Sequence, residues 1–223
     1  MTPDPTPDPT PTPDRSAHRT PTGSRLLELV TVMDRLRSDC PWDREQTHRS
    51  LATYLLEETY ETLEAIDTWD ATGDDRDLLE ELGDLLLQVV FHARVASERG
   101  DDGFDIDDVA GGICDKLVHR HPHVFAGLEV ADAAEVDRNW ERLKAAEKQR
   151  SHVLEGVPQA LPALALADKV LGRLAKAGLE PEPVTPGVGA ELLSLVARAR
   201  ELGVDPEQAL RDAVRQAAPP PGA

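Results

Sequence analysis

Apolar residues recur three and four positions apart through most of residues 25–150, the spacing that gives an α-helix one buried face. Alternating β-branched runs are nearly absent and aromatic residues make up only 4% of the chain, so strands are not expected. The pattern predicts an all-α chain with helices over roughly 25–37, 50–68, 76–99, 106–119 and 132–150. Asp39-Cys40-Pro41-Trp42-Asp43 separates the first two, because proline lacks a backbone donor and restricts the residue before it. Gly73-Asp74-Asp75 makes the turn into the third, and so short a connection sets its two helices antiparallel. Further on, Gly203-Val204-Asp205-Pro206-Glu207 reads as a helix stop and a new start, with Asp205 as cap and Pro206 in the first turn. The helices on either side carry apolar stripes, Leu192, Leu195 and Val196 on one and Leu210 and Val214 on the other. A pair that short is marginal alone, so residues 185–217 are expected to pack on the first domain or on a second subunit.

Polar residues interrupt this pattern in two informative places. Glu57-Glu58-Thr59-Tyr60-Glu61 follows Tyr54-Leu55-Leu56, and Glu81-Leu82-Gly83-Asp84 precedes Leu85-Leu86-Leu87-Gln88-Val89-Val90-Phe91. Carboxylates three apart share a helix face, so Glu58/Glu61 and Glu81/Asp84 can meet across an antiparallel helix pair. Acidic residues on a helix usually form a solvated face. Four acids at matched spacing, flanked by core-like leucines, point instead to a cage for a hard divalent cation such as Mg²⁺, which is commonly held by a few carboxylates while it also grips substrate phosphates.

Composition sets the limits of this picture. Thirteen of the 18 prolines lie in the first 21 residues, in 181–186 and in 219–221. They mark a disordered Pro-rich tail over 1–23, an ordered body from about Arg25 to Gly178, a break, a short helical segment over 188–217 and a disordered end over 218–223; within the body a first domain is expected over 24–150, followed by a helix and Pro-rich linker over 151–187. The tail has neither the basic start nor the apolar stretch of a secretory signal, and no segment approaches a membrane span. A formal charge of −18 argues against binding polymeric nucleic acid, although a small polyanion can bind where metal ions and a few placed cations offset the field. The two cysteines, Cys40 and Cys114, are expected to be free thiols in a cytoplasmic protein.

Leu86–Arg94 aligns with Leu192–Arg200 at an offset of 106, and the same offset carries Glu81 onto Gly187 and Asp84 onto Ala190. The C-terminal segment therefore reads as a remnant of a second copy that lacks its acids. Lys116 and Arg120, four apart, can reach phosphate oxygens or form an ordinary basic face. Trp140 and Lys144 repeat that spacing, with an indole able to stack on a base or to pack in the core. Trp42 and His48 belong to a polar loop ahead of the first acidic cluster.

Taken in order, Cys40-Pro41-Trp42-Asp43-x-x-Gln46-Thr47-His48-x-Ser50-Leu51, Leu56-Glu57-Glu58-x-x-Glu61-x-x-Glu64-Ala65-Ile66, Glu81-Leu82-Gly83-Asp84-Leu85-Leu86 and Lys116-x-x-x-Arg120-His121-Pro122-His123-Val124-Phe125 resemble the MazG nucleoside triphosphate pyrophosphohydrolases. The resemblance covers residues 25–150 well and continues weakly to the C-terminus. It implies a four-helix-type all-α core that forms a homodimer, dependence on Mg²⁺ with Mn²⁺ as a substitute, and hydrolysis of NTP or dNTP, including noncanonical nucleotides, to nucleoside monophosphate and pyrophosphate. It carries the metal ligands onto Glu58, Glu61, Glu81 and Asp84, with Glu57 completing the acidic motif, and triphosphate and base contacts onto Lys116, Arg120, Trp140 and Lys144. Many members contain two full domains, whereas this second copy is truncated.

In mechanistic terms, an ion-activated water would attack the α-phosphorus, Glu57 would orient that water, and Lys116, Arg120 and Lys144 would stabilise the pyrophosphate that leaves. Two rival classes remain open. A ferritin-like di-metal oxidase needs a Glu-x-x-His motif on each of two helices, and this chain has one such spacing, Glu45 to His48. A non-catalytic regulatory or interaction protein that keeps a metal-binding bundle is the other.

Overall fold

The computed structural model describes residues 23–148 and 152–218; the predicted tail up to residue 22 and the end from residue 219 lie outside the described residues. The chain forms α1 (Ser24–Asp39), α2 (Pro41–Glu45), α3 (His48–Thr72), α4 (Arg76–Ser97), α5 (Ile106–Arg120), α6 (Pro122–Phe125), α7 (Ala133–Lys148), α8 (Ala163–Lys176), α9 (Val188–Glu201) and α10 (Pro206–Ala217). Among the described residues there is no strand, and no helix is long and apolar enough to cross a membrane. Compact packing divides the chain into Met1–Leu128 and Glu129–Ala223. The division falls ahead of α7, whereas the sequence reading carries the first domain on to residue 150.

The predicted helices are present, with instructive differences at prolines. Pro41 and Pro122 each open a short helix, α2 and α6, because a residue without an amide hydrogen suits the first helical position as well as it suits a break. α3 runs on to Thr72, where Gly73 takes the left-handed conformation at φ 76° and donates its N–H to the Trp69 carbonyl. Thr47 and Ser50 cap each other's backbone amides at the start of α3, and Asp105 and Asp108 do so at the start of α5.

The first unit is built on the antiparallel pair α3 and α4, with α1 and α5 against α4. Met33, Leu51, Val90 and Phe91 form its buried core, surrounded by Leu29, Val30, Leu86, Leu87, Val95 and Ile106. One buried cation ties the rim of this core together. Arg37, only 7% exposed, pairs with Glu98 through Nε to Oε1 at 2.7 Å and Nη2 to Oε2 at 2.9 Å. Its Nη1 donates to the Asp43 carbonyl and, at 2.9 Å, to the Gln46 carbonyl. The C-terminal ends of α1 and α4 and the short α2 are thus joined through a single guanidinium.

In the second unit, α8, α9 and α10 pack on one another, and Val196 is fully buried among them. The side chain of Asp205 accepts from the amides of Glu207 and Gln208 at 2.9 and 3.2 Å, the cap expected from the sequence. The helix pair 188–217 finds its packing partner in α8, where the sequence reading looked to the first domain or a second subunit. The reason lies in α8 itself, whose Leu164, Leu166, Leu171 and Leu174 are partly buried and complete the apolar seam.

Arg37→Met removes the charge while keeping apolar bulk. It should cost about 2–3 kcal/mol in urea unfolding, since it strips charged hydrogen bonds from two buried carbonyls and from Glu98. Arg37 holds the Glu98 carboxyl below its ordinary range, so that part of the stabilisation is present above the unfolded carboxyl's range and disappears as the pH falls through the lower folded value. The gap between wild type and variant should therefore narrow in acid.

Candidate active site

Glu58 and Glu61 lie three apart on α3, and the α3–α4 turn brings Glu81 on α4 to meet them. One carboxylate oxygen from each of the three lies within 4.8 Å of the others. The helix pair is pinned beside them by Thr62, a 6% exposed side chain. Its hydroxyl donates to the Glu58 carbonyl at 2.7 Å and reaches the Glu81 carbonyl across the interface at 3.5 Å.

Charge crowding is evident in the ionisation of these acids. Burial, followed by the charges of Asp84, Glu61 and Glu81, raises the Glu58 carboxyl above its ordinary range. Burial, followed by Glu61 and Asp84, raises Glu81 in the same direction. Asp84 is thus an electrostatic neighbour of both, although it stands outside the group of three oxygens. Glu57 is exposed and lies outside that group too.

The donor chemistry fits a hard divalent cation. All three groups are carboxylates, the oxygen donors that Mg²⁺ and Ca²⁺ take, and their oxygens lie within 4.8 Å of one another. Mutual repulsion is also relieved by a cation.

Further along the same helix pair, the register that sets Glu58 and Glu61 near Glu81 and Asp84 brings His48 against His92. Their Nδ1 atoms are 2.8 Å apart, and the rings stack at 5.1 Å with 4° between planes. Such a contact needs one protonated and one bare nitrogen. Burial, followed by the neighbouring His48, lowers the His92 pKa, which makes His92 the ring that favours neutrality. Between this pair and the acids, Gln88 is 5% exposed, and its Oε1 is buried without a hydrogen-bond partner among the described residues. Neither Gln88 nor His92 carried a signal in the sequence beyond their place one and two turns after Asp84 on a leucine-rich helix. Glu45 ends α2 and His48 begins α3, so the single Glu-x-x-His spacing is not on one helix and does not build a di-metal oxidase site.

Trp42, on α2, is 49% exposed and meets Tyr54 edge to face at 5.8 Å. Tyr54 is one helical turn before Glu58, so an accessible aromatic pair adjoins the acids. Lys116 is exposed on α5, while Arg120 at its end is 9% exposed. Trp140 and Lys144 are half-buried on α7, in the second unit.

A family model, the MazG nucleotide pyrophosphohydrolase domain, matches residues 46–125, a span that holds all the acids of the site together with Lys116 and Arg120. An uncharacterized 26.1 kDa protein of Streptomyces cacaoi is 52% identical over 86% of this chain and 78% of its own length. A nucleoside triphosphate pyrophosphohydrolase of Escherichia coli is 44% identical over 79% of this chain and 68% of its own. A protein of the same name from Mycobacterium tuberculosis is 46% identical over 89% of this chain, which spans 58% of the mycobacterial protein. With its helices, its acidic cluster and these relatives in agreement, the chain belongs to the MazG nucleotide pyrophosphohydrolase family, hydrolases that act on acid anhydrides.

Proposed function

We propose that this chain hydrolyses nucleoside triphosphates, noncanonical ones included, to nucleoside monophosphate and pyrophosphate in the cytoplasm, with Mg²⁺ held by Glu58, Glu61, Glu81 and Asp84. The observation that carries this reading is the convergence of three carboxylate oxygens within 4.8 Å across the α3–α4 pair, inside the residues the family model matches. A divalent cation held there supplies positive charge to the triphosphate and acidity to a water molecule.

The chain's own groups do the rest. Glu57, exposed and next to Glu58 in sequence, orients the attacking water and accepts its proton. Lys116 and Arg120 balance the charge that builds on the pyrophosphate as the bond to the α-phosphorus breaks. Trp42 offers a face on which any base can stack. His48 has its Nδ1 engaged by His92, which fixes its ring and turns Nε2 toward a polar group of the substrate.

A homodimer is part of this reading. Leu56, Leu63 and Ile66 recur at helical spacing on α3 and are 57%, 42% and 41% exposed, and Leu79 and Leu82 on α4 are 63% and 51% exposed. An apolar stripe of this extent is characteristic of an interface. Leu63→Asp should halve the mass measured by light scattering, and a mass equal to that of the unaltered protein would remove this face from the interface.

Glu61→Gln and Asp84→Asn should each lower Mg²⁺-dependent pyrophosphate release by about a hundredfold or more, as expected when several kcal/mol of charge stabilisation is lost. Circular dichroism should stay unchanged, and full activity in either variant would sink the ligand assignment.

The raised Glu58 and Glu81 carboxyls also set a pH dependence. A carboxyl raised in the folded state stabilises the fold below its unfolded pKa, and that stability is lost as the pH rises through the folded value. Metal-free protein should therefore lose Tm on passing upward through the carboxylate range, and Mg²⁺ should restore it. Glu81→Gln should raise the metal-free Tm at neutral pH and weaken the restoration by Mg²⁺; a lowered metal-free Tm would contradict the repulsion.

A further inference from the structure

The leucine-rich middle of α4 has a single polar interruption. Gln88 is the one polar residue between Asp84 and His92, with Leu85-Leu86-Leu87 before it and Val89-Val90-Phe91 after it. Only 5% of its surface is exposed, yet its Oε1 is buried with no hydrogen-bond partner among the described residues. His92, one turn on, repeats the pattern. Its Nδ1 meets Nδ1 of His48 at 2.8 Å, while its Nε2 is buried and lacks a partner among the described residues. A buried acceptor without a donor costs more than an apolar side chain of the same shape, so packing alone does not explain a glutamine here.

Its place along the helix supplies a reason. Glu81, Asp84, Gln88 and His92 follow one another at spacings of three and four, which puts them on one face of α4. Four residues rise about 6 Å along a helix, so Gln88 stands one turn beyond the acids toward the His48–His92 contact. α3 runs the opposite way, and Tyr54 stands one turn from Glu58 in that same direction. Tyr54 and Gln88 therefore lie at about the same level of the helix pair. Tyr54 is 38% exposed and meets Trp42 edge to face at 5.8 Å. A heterocyclic base is held by stacking on aromatic rings and by hydrogen bonds along its edge. An accessible aromatic pair and a buried, unpartnered amide, each one turn from the carboxylates, offer both.

We propose that Gln88 is a specificity-determining residue whose Oε1 accepts a hydrogen bond from the exocyclic amino group of the substrate's base. The inference rests on the reading of this site as a nucleoside triphosphate pyrophosphohydrolase centre and adds the class of base it takes. Cytosine and adenine carry an amino group at that edge, where uracil and hypoxanthine carry an oxo group. An oxo group would set a second acceptor against Oε1, and a site built around a buried polar group rejects a ligand that leaves it unpaired. Stacking on Trp42 tolerates every base, so the choice falls to the edge contact. An amide turned over, with Nε2 in the buried place, would reverse the preference.

The test is steady-state pyrophosphate release from two matched pairs, CTP with UTP and ATP with ITP, by the full chain and by Gln88→Met, which keeps the length and loses both polar atoms. The unaltered protein should favour CTP over UTP and ATP over ITP in kcat/KM. Gln88→Met should shrink each ratio by about tenfold or more, the loss expected when one buried hydrogen bond is no longer made. Its Tm should equal or exceed that of the unaltered protein, because an unpartnered buried oxygen has been removed. A preference for UTP and ITP, ratios that survive in Gln88→Met, or a Tm lowered by that substitution would each overturn the proposal while hydrolysis itself persists. Absence of hydrolysis of all four nucleotides by the unaltered protein would instead overturn the functional reading, and this inference with it.

Discussion

Mutual repulsion among carboxylates on α3 and α4 is the constraint around which the first unit is arranged. Glu58, Glu61 and Glu81 meet with oxygens within 4.8 Å, and Asp84 adds its charge to both Glu58 and Glu81. Left to themselves, two helices bearing these acids would separate. What holds them lies elsewhere along the pair. Leu51, Val90 and Phe91 pack with Met33 toward one end, Thr62 bridges the backbones beside the acids, and Gly73 closes the turn at the other end. Favourable contacts at both ends permit an unfavourable one between them, the usual cost of a site built to receive a cation.

The helix pattern, the α3–α4 turn and the meeting of Glu58, Glu61 and Glu81 were all legible in the sequence because each is local or follows from one short connection. Helical spacing places acids on a face, and a three-residue turn makes two faces meet. Pro41 and Pro122 misled as simple breaks because the same missing donor that ends one helix starts the next. His92, Gln88 and Arg37 could not be read in advance. Their roles depend on which residue stands opposite, 44 positions away for His48 and His92 and 61 for Arg37 and Glu98, and periodicity carries no register between distant segments.

The C-terminal unit shows the same limit from another side. The sequence reading found a stripe of leucines and the loss of acids, and expected a silent remnant. Leu86–Arg94 and Leu192–Arg200 are indeed both helical, and the aligned arginines both pair with an aspartate on a neighbouring helix, Arg94 with Asp34 and Arg200 with Asp168. The surroundings differ. Arg94 sits among acids, near Asp34 and Glu98, whereas Arg200 shares its pocket with Lys144, Lys169, Arg173 and Lys176.

That difference bears on how an acidic protein handles polyanions. In the first unit 27 acidic side chains face 12 basic ones, so a triphosphate approaches against the field unless cations neutralise it. In the second unit the balance is close to even. Exposed charges beyond a Debye length of roughly 8–10 Å are screened at cellular salt, so what an anion meets is set by the groups lining its own pocket. Carboxylates crowded as those on α3 and α4 are would need a cation beside them before a phosphate group could approach.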